Sequence, residues 1–259
     1  MSNVLLCESD ARGVATVTLN RPEKRNALSG ALIEALSEMA DGLAQDGSRV
    51  VVLTGAGGQF CAGGDLNWMR AQTQADAATR RAEAAKLAGM LGKWNSLPKP
   101  VIARIEGSAF GGGVGMACVA DVAIAGEGTK FGLTETRLGL LPATIGPYVL
   151  ARMGEANARR VFMSSRIFGA HKAVTLGVIA KAVPESELDA AIEAEIAPYM
   201  ACAPGAVAEA KALALALGQA PSEADVQRSI DALITRWDSD EAPEGIAAFF
   251  DKRKAAWMS

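Results

Sequence analysis

The amino-acid sequence predicts an α/β fold with crossover connections, and three observations predict it. Residues 50–54 (Val-Val-Val-Leu-Thr) and Val101–Ile105 are short, β-branched and mainly apolar, the pattern of strands buried on both faces of a parallel sheet. Stretches of helical length separate them. Each strand also runs into a glycine-rich loop, Gly55-Ala56-Gly57-Gly58-Gln59-Phe60-Cys61-Ala62-Gly63-Gly64-Asp65-Leu66 and Gly107-Ser108-Ala109-Phe110-Gly111-Gly112-Gly113. Strands and helices in alternation imply crossovers packed on a sheet.

The elements follow in order. Val14–Leu19 reads as a strand closed by Asn20-Arg21-Pro22. Ser29 is placed to cap an amphipathic helix over residues 30–43, with Leu32, Leu36, Met39 and Leu43 on one face. After the first glycine loop, residues 73–94 read as one polar, Ala-rich helix. Residues 114–119 start a helix after the glycine triplet, and residues 122–125 form a short strand. Residues 130–139 read as a mixed loop. Helices are then expected from Pro147 through Arg159, near Ala173, from Glu185, and over residues 206–217, 222–237 and 245–257, with a final strand over residues 178–183. A helical tail with little of its own apolar surface to bury points to packing on a neighbouring subunit.

Composition narrows the function. The chain has 259 residues, 50% of them hydrophobic and 21% charged, enough for one large core or a core with an appendage. The net charge of −3 argues against a general nucleic-acid binder, which needs a basic face. No apolar run has the length of a membrane span, and the first residues lead directly into a strand-like segment. The expectation is a soluble, cytoplasmic protein without nucleic-acid or membrane partners. The four cysteines, Cys7, Cys61, Cys118 and Cys202, have no metal-ligand spacing and read as reduced thiols, mostly core filler. His171 is the single histidine, read as an exposed residue at a helix start. Catalysis would therefore rest on carboxylates and backbone donors. No metal and no redox cofactor is expected.

The glycine triplet has two readings. Glycines between a strand and a helix let backbone N–H groups face a ligand, and the helix start favours developing negative charge. A tight turn with no ligand uses the same residues, and the triplet alone leaves both open.

The joint order of several motifs decides more. They are Leu19-Asn20-Arg21-Pro22-Glu23-Lys24-Arg25-Asn26-Ala27-Leu28, Phe60-Cys61-Ala62-Gly63-Gly64-Asp65-Leu66, Lys99-Pro100-Val101-Ile102-Ala103 with the glycine triplet, Ala120-Asp121, Phe131-Gly132-Leu133-Thr134-Glu135-Thr136-Arg137-Leu138-Gly139, and the tail Glu244-Gly245-Ile246-Ala247-Ala248-Phe249-Phe250-Asp251-Lys252-Arg253-Lys254. Spread along nearly the whole chain, this set resembles the crotonase (enoyl-CoA hydratase/isomerase) superfamily. The resemblance implies a spiral of ββα units with a C-terminal α-helical trimerisation region. It divides the chain into a core with the acyl-CoA site over residues 1–195 and a helical oligomerisation region over residues 196–259. It also implies a homotrimer or homohexamer, and an acyl-CoA thioester whose CoA is part of the substrate.

By motif position, the resemblance makes the N–H groups of Gly64 and Gly112 an oxyanion hole for the thioester oxygen. Such donors stabilise the enolate more than the neutral carbonyl. It places Lys24, Ala62, Asp65 and Leu66 along the CoA channel, and Phe249 and Lys252 at the adenine and phosphate end. Typical hydratases of the family have two glutamates. Here Gly115 stands at the first place and Glu135 at the second. The apolar neighbours of Glu135 should raise its pKa towards a value useful for proton transfer.

One glutamate allows a hydratase, provided other groups hold the water, or a Δ3,Δ2-enoyl-CoA isomerase. The segments 62–69 and 135–149 resemble bacterial 3-methylglutaconyl-CoA hydratase-like members. That implies a branched or carboxylated acyl chain and a place in leucine degradation. A remote carboxylate would require a cation, with Arg137 and Arg152 as candidates. A third reading, an acyl-CoA- or RNA-binding protein with little catalysis, has the acidic balance against it.

Overall fold

The computed structural model of the protein describes residues 4–218 and 220–258. Strands β1 (Leu5–Ser9) and β2 (Val14–Leu19) are followed by α1 (Gly30–Gln45) and β3 (Val50–Gly55). Next come α2 (Leu66–Gln74), α3 (Ala77–Asn95), β4 (Val101–Ile105), β5 (Ser108–Phe110), α4 (Gly112–Val119), β6 (Val122–Gly126) and β7 (Lys130–Gly132). A 3-10 turn at Glu135–Leu138 leads to α5 (Gly146–Met153), α6 (Glu155–Phe162), β8 (Ile167–Gly169), α7 (Ala170–Thr175) and β9 (Lys181–Val183). The chain closes with α8 (Leu188–Met200), α9 (Pro204–Leu217), α10 (Glu223–Trp237) and α11 (Glu241–Phe250).

The larger sheet has the order β1-β2-β3-β4-β6-β9, with only the β1–β2 pair antiparallel. A second, smaller sheet, β5-β7-β8, stands beside it. The apolar strands are buried on both faces, as their composition requires. In β3, Val51 and Leu53 enter the main core, which Leu32, Leu36 and Leu43 of α1 help to fill. Val50 and Val52 enter a second core closed by Leu188, Ile192 and Ile196 of α8. Alternate residues of one strand thus serve two layers.

Several expected elements differ in extent. The helix expected over residues 73–94 is two helices, because the Asp76 carboxylate accepts the Thr79 N–H at 2.8 Å and starts α3 afresh. The helix expected from Pro147 to Arg159 breaks at Gly154, whose φ is +72°. The last strand is confined to Lys181–Val183, and α11 begins before Gly245 and ends at Phe250. The smaller sheet was not legible, since each of its strands is three residues long. Ser29 caps α1 as expected, accepting the Leu32 N–H at 3.3 Å. Cys61 and Cys118 are buried, and burial pushes both thiols up to about 12. Cys7 and Cys202 are exposed and fill no core. His171 lies exposed on α7. Among the described residues, no single helix is long and apolar enough to cross a membrane.

Candidate active site

Two glycine loops are laid side by side by one short parallel bridge, Cys61↔Ala109. The Cys61 N–H donates to Ser108 O and the Phe110 N–H donates to Cys61 O, both at 3.0 Å. From this shared register each loop advances by three residues, one to Gly64 and the other to Gly112. The Gly64 turn is pinned to the segment after β2. Leu28 N–H donates to Gly63 O at 2.7 Å, and Asp65 N–H donates to Leu28 O at 2.9 Å. The buried Asn26 ties the same segment to the loop after β3, its amide donating to Ala56 O at 3.0 Å and Gln59 O at 2.6 Å.

Asp65 caps α2. Its carboxylate accepts the N–H groups of Asn67 (2.9 Å) and Trp68 (3.2 Å) and pairs with Arg21 at 2.9 Å. Burial works against its ionisation, but Arg21 and the two amides outweigh burial and hold the carboxyl below the usual range. Its side chain is therefore spent on holding the loop.

Among the described residues neither the Gly64 nor the Gly112 N–H donates a hydrogen bond within the chain. Gly112 is the first residue of α4, so its amide adds the positive end of the helix dipole. Both glycines line one narrow cavity of about 110 Å³ together with Glu135. Glu135 opens the 3-10 turn after β7, which pairs with β5. The residue as a whole is part-exposed, but its Oε2 is sealed from solvent and has no hydrogen-bond partner. Burial pushes its pKa up from 4.5 to about 7, with its own backbone N–H opposing the rise. Gly111 permits this approach: a Cβ there would stand 2.9 Å from Glu135 Oε1, at a φ of +48°. An acid poised near neutrality thus shares one cavity with two unused donors, the combination needed to move a proton while an oxyanion forms.

The profile of the enoyl-CoA hydratase/isomerase family matches residues 9–259. The chain belongs to that family. The 2,3-dehydroadipyl-CoA hydratase of Escherichia coli K12 is 33% identical over 96% of this chain and 96% of its own length. An enoyl-CoA hydratase of Alternaria alternata is 33% identical over 92% of this chain and 78% of its own. Among solved structures, an enoyl-CoA hydratase from Mycobacterium avium superposes with a TM-score of 0.88 at 33% identity, covering 99% of this chain and 100% of that one. AtuE of Pseudomonas aeruginosa superposes with a TM-score of 0.81 at 37% identity, covering 99% and 100%.

In this member of the enoyl-CoA hydratase/isomerase family, the structure brings together Gly64, Gly112 and Glu135. The other expected residues lie outside their cavity. Lys24 is exposed on the 3-10 turn Pro22–Lys24, Ala62 is half-buried, and Leu66 is exposed at the start of α2. Phe249 and Lys252 line a separate cavity of about 360 Å³ that also touches Arg137. Neither arginine expected to meet a substrate carboxylate reaches the Glu135 cavity. Arg152 donates to Cys118 O at 3.1 Å, to Asp121 O at 3.3 Å and to Ala120 O, satisfying the end of α4. No lining residue described for the Glu135 cavity is a cation.

Gly115 is explained by packing. A Cβ at this position would meet Ile145 Cγ2 at 2.6 Å and Leu91 Cδ1 at 3.6 Å. The volume a first glutamate would need to cross is filled with hydrocarbon.

Residues beyond 195 also reach the Glu135 cavity. Leu233 and Trp237 of α10 form part of the cavity wall. Arg236 donates twice to Gly139 O, at 3.0 and 2.8 Å, just beyond the Glu135 turn. Gly245 of α11 lies so close that a Cβ would stand 2.5 Å from Leu138 O. Ser165, which carried no signal in the sequence, accepts the Arg137 N–H at 3.0 Å and meets Thr136 Oγ1 at 2.7 Å. The turn that presents Glu135 is thus held by three distant segments. Thr144 and Ile145, also lining the cavity, sit inside a motif legible in the sequence but had no role assigned to them.

Proposed function

We propose that the protein is an enoyl-CoA hydratase acting on thioesters with an apolar, optionally branched, acyl chain. The observation that carries this reading is the Glu135 carboxyl, its Oε2 without a partner, in one cavity with the two unused amides of Gly64 and Gly112. The thioester oxygen sits between the two amides. Ionised Glu135 takes a proton from water as the water oxygen bonds to C3, and the C2=C3 electron pair moves into the thioester enolate. The enolate then collapses and C2 takes the proton from Glu135, so that one water is added overall. Preorganised donors stabilise the enolate by about 3–4 kcal/mol each in comparable sites. No metal or redox group enters these steps, and CoA is part of the substrate.

The acyl preference rests on the walls of the cavity, which offer leucine, isoleucine and proline side chains and no cation among the described residues. A free carboxylate on the acyl chain would be buried without a partner there, which is costly. This sets a 3-methylglutaconyl thioester, and a place in leucine degradation, below an apolar enoyl-CoA. The homotrimer or homohexamer belongs to the same proposal. It is supported by α9, which has no buried residue and exposes Leu213 and Leu217 at 59% and 80%. A cytoplasmic location belongs to it too.

Product mass spectrometry in H₂¹⁸O tests the reaction. An apolar 2-enoyl-CoA should gain labelled hydroxyl, and faster than a carboxylated one. A second reading, Δ3,Δ2-enoyl-CoA isomerase, is favoured by one specific observation, the filling of the Gly115 site by Ile145. A 3-enoyl-CoA converted without label, with no hydration of any ester, would establish it instead.

A further inference from the structure

Hydration with one carboxyl leaves one hydrogen of the attacking water unheld, and among the described residues lining the cavity one further side chain can accept it. Among the cavity-lining residues described, four have polar side-chain atoms: Glu135, Thr144, Trp68 and Trp237. An indole N–H only donates, so neither tryptophan can accept a hydrogen from water. The Trp68 Nε1–H is already spent on Glu83 at 2.9 Å. Thr144 is only 7% exposed, yet its hydroxyl makes no hydrogen bond among the described residues. Nor is that hydroxyl sealed in the protein without a partner, a state that among the described residues belongs to Glu135 Oε2. A hydroxyl that is neither bonded to protein nor sealed in it opens on the cavity its residue lines. Thr144 also directly precedes Ile145, the residue that fills the space beside Gly115. Thr144 and the residue that fills the Gly115 space thus belong to one stretch of the cavity wall.

We propose that the Thr144 hydroxyl positions the attacking water, taking the place of the absent second acid. This rests on the hydratase reading above. One water hydrogen goes to the Glu135 carboxylate, and the other is held by Thr144 Oγ1. The water lone pair forms the bond to C3, the π pair moves to the thioester oxygen, and the Glu135 proton is returned to C2. Thr144 gains and loses no proton. A neutral hydroxyl suits this place because the neighbouring wall is hydrocarbon, where a second carboxylate would have to be desolvated next to Glu135. Isomerisation needs no water, so Thr144 has no part in it.

The test compares wild type, Thr144→Val and Thr144→Ser on two probes, trans-2-hexenoyl-CoA for hydration and 3-hexenoyl-CoA for double-bond migration. Valine has the same shape and loses only an unpaired hydroxyl, so its unfolding midpoint should match that of wild type. Hydration kcat should fall about 10- to 100-fold in Thr144→Val, with KM within about twofold. Migration should stay within about twofold, and Thr144→Ser should recover most of the hydration. Thr144→Val hydrating as wild type does would overturn the inference while leaving the hydratase reading intact. An equal loss of hydration and migration would also overturn it, since it would mark a purely structural role. A wild-type protein that migrates the double bond and never hydrates would remove the hydratase reading and this inference together.

Discussion

Replacing Glu135 by glutamine tests the site through stability as well as turnover. The folded carboxyl titrates near 7, against 4.5 without burial. Below about pH 4.5 it is protonated in both folded and unfolded chains, and burial costs nothing by this route. Between 4.5 and 7 the unfolded chain releases the proton while the native one keeps it, so native stability falls as pH rises. Above 7 both forms are ionised and the loss levels off. At about 1.4 kcal/mol for each pH unit, the gap amounts to roughly 3 kcal/mol. Glu135→Gln removes this dependence. Its buried amide adds a cost of about 1–3 kcal/mol of its own, but that cost does not vary with pH. Guanidinium unfolding of both proteins at half-unit steps from pH 4.5 to 8.5 is the assay. The stability of the variant relative to wild type should climb by roughly 3 kcal/mol between pH 4.5 and 7.5 and then stay flat. Its turnover should fall about 10²- to 10⁴-fold, and wild-type kcat/KM should rise with pH to a plateau above 7. A stability difference that stays constant across this range would refute the buried carboxyl and, with it, the case for Glu135 as the proton carrier.

Gly111→Ala should lower turnover about 100-fold and cost about 1–3 kcal/mol, because a side chain at φ +48° would press on Glu135 Oε1; steady-state kinetics with an unfolding curve checks it. Gly115→Ala should destabilise α4 by about 1–3 kcal/mol, less the near 1 kcal/mol that alanine gains over glycine in a helix. Combined with Ile145→Ala it should cost less than the sum of the two single changes by about 1 kcal/mol or more, measured in a double-mutant cycle. Asp65→Ala should cost about 3–5 kcal/mol, since it strips the cap from α2 and strands Arg21. Asp65→Asn, which can still cap, should cost less in the same unfolding assay. Sedimentation should find an assembly larger than one chain, and Leu213→Glu with Leu217→Glu should dissociate it.

The main sheet was legible because its strands carry their burial in their own composition. Val50 to Leu53 and Val101 to Ile105 must be covered on both faces whatever surrounds them. Ser29 at the head of α1 was legible for the same reason, since a cap is a contact between near neighbours in the chain. The breaks at Asp76 and Gly154 were missed because helical periodicity runs on across a short interruption. The three-residue strands of the smaller sheet are too short for any period to register.

The α/β class, the two glycine loops, the single acid at Glu135 and the family that these motifs resemble are all readable from the linear chain. These depend on residue type and short spacing, which a linear chain displays. What the parts do to one another is set by the folded arrangement. The Cys61↔Ala109 bridge sets Gly64 beside Gly112, and Ile145 fills the space at Gly115. Arg152 is spent on the end of α4 instead of on substrate, and α10 and α11 brace the Glu135 turn from the far end of the chain. Each of these joins residues many positions apart. Such contacts depend on packing volume and hydrogen-bond partners supplied by the rest of the fold, and no local pattern encodes them.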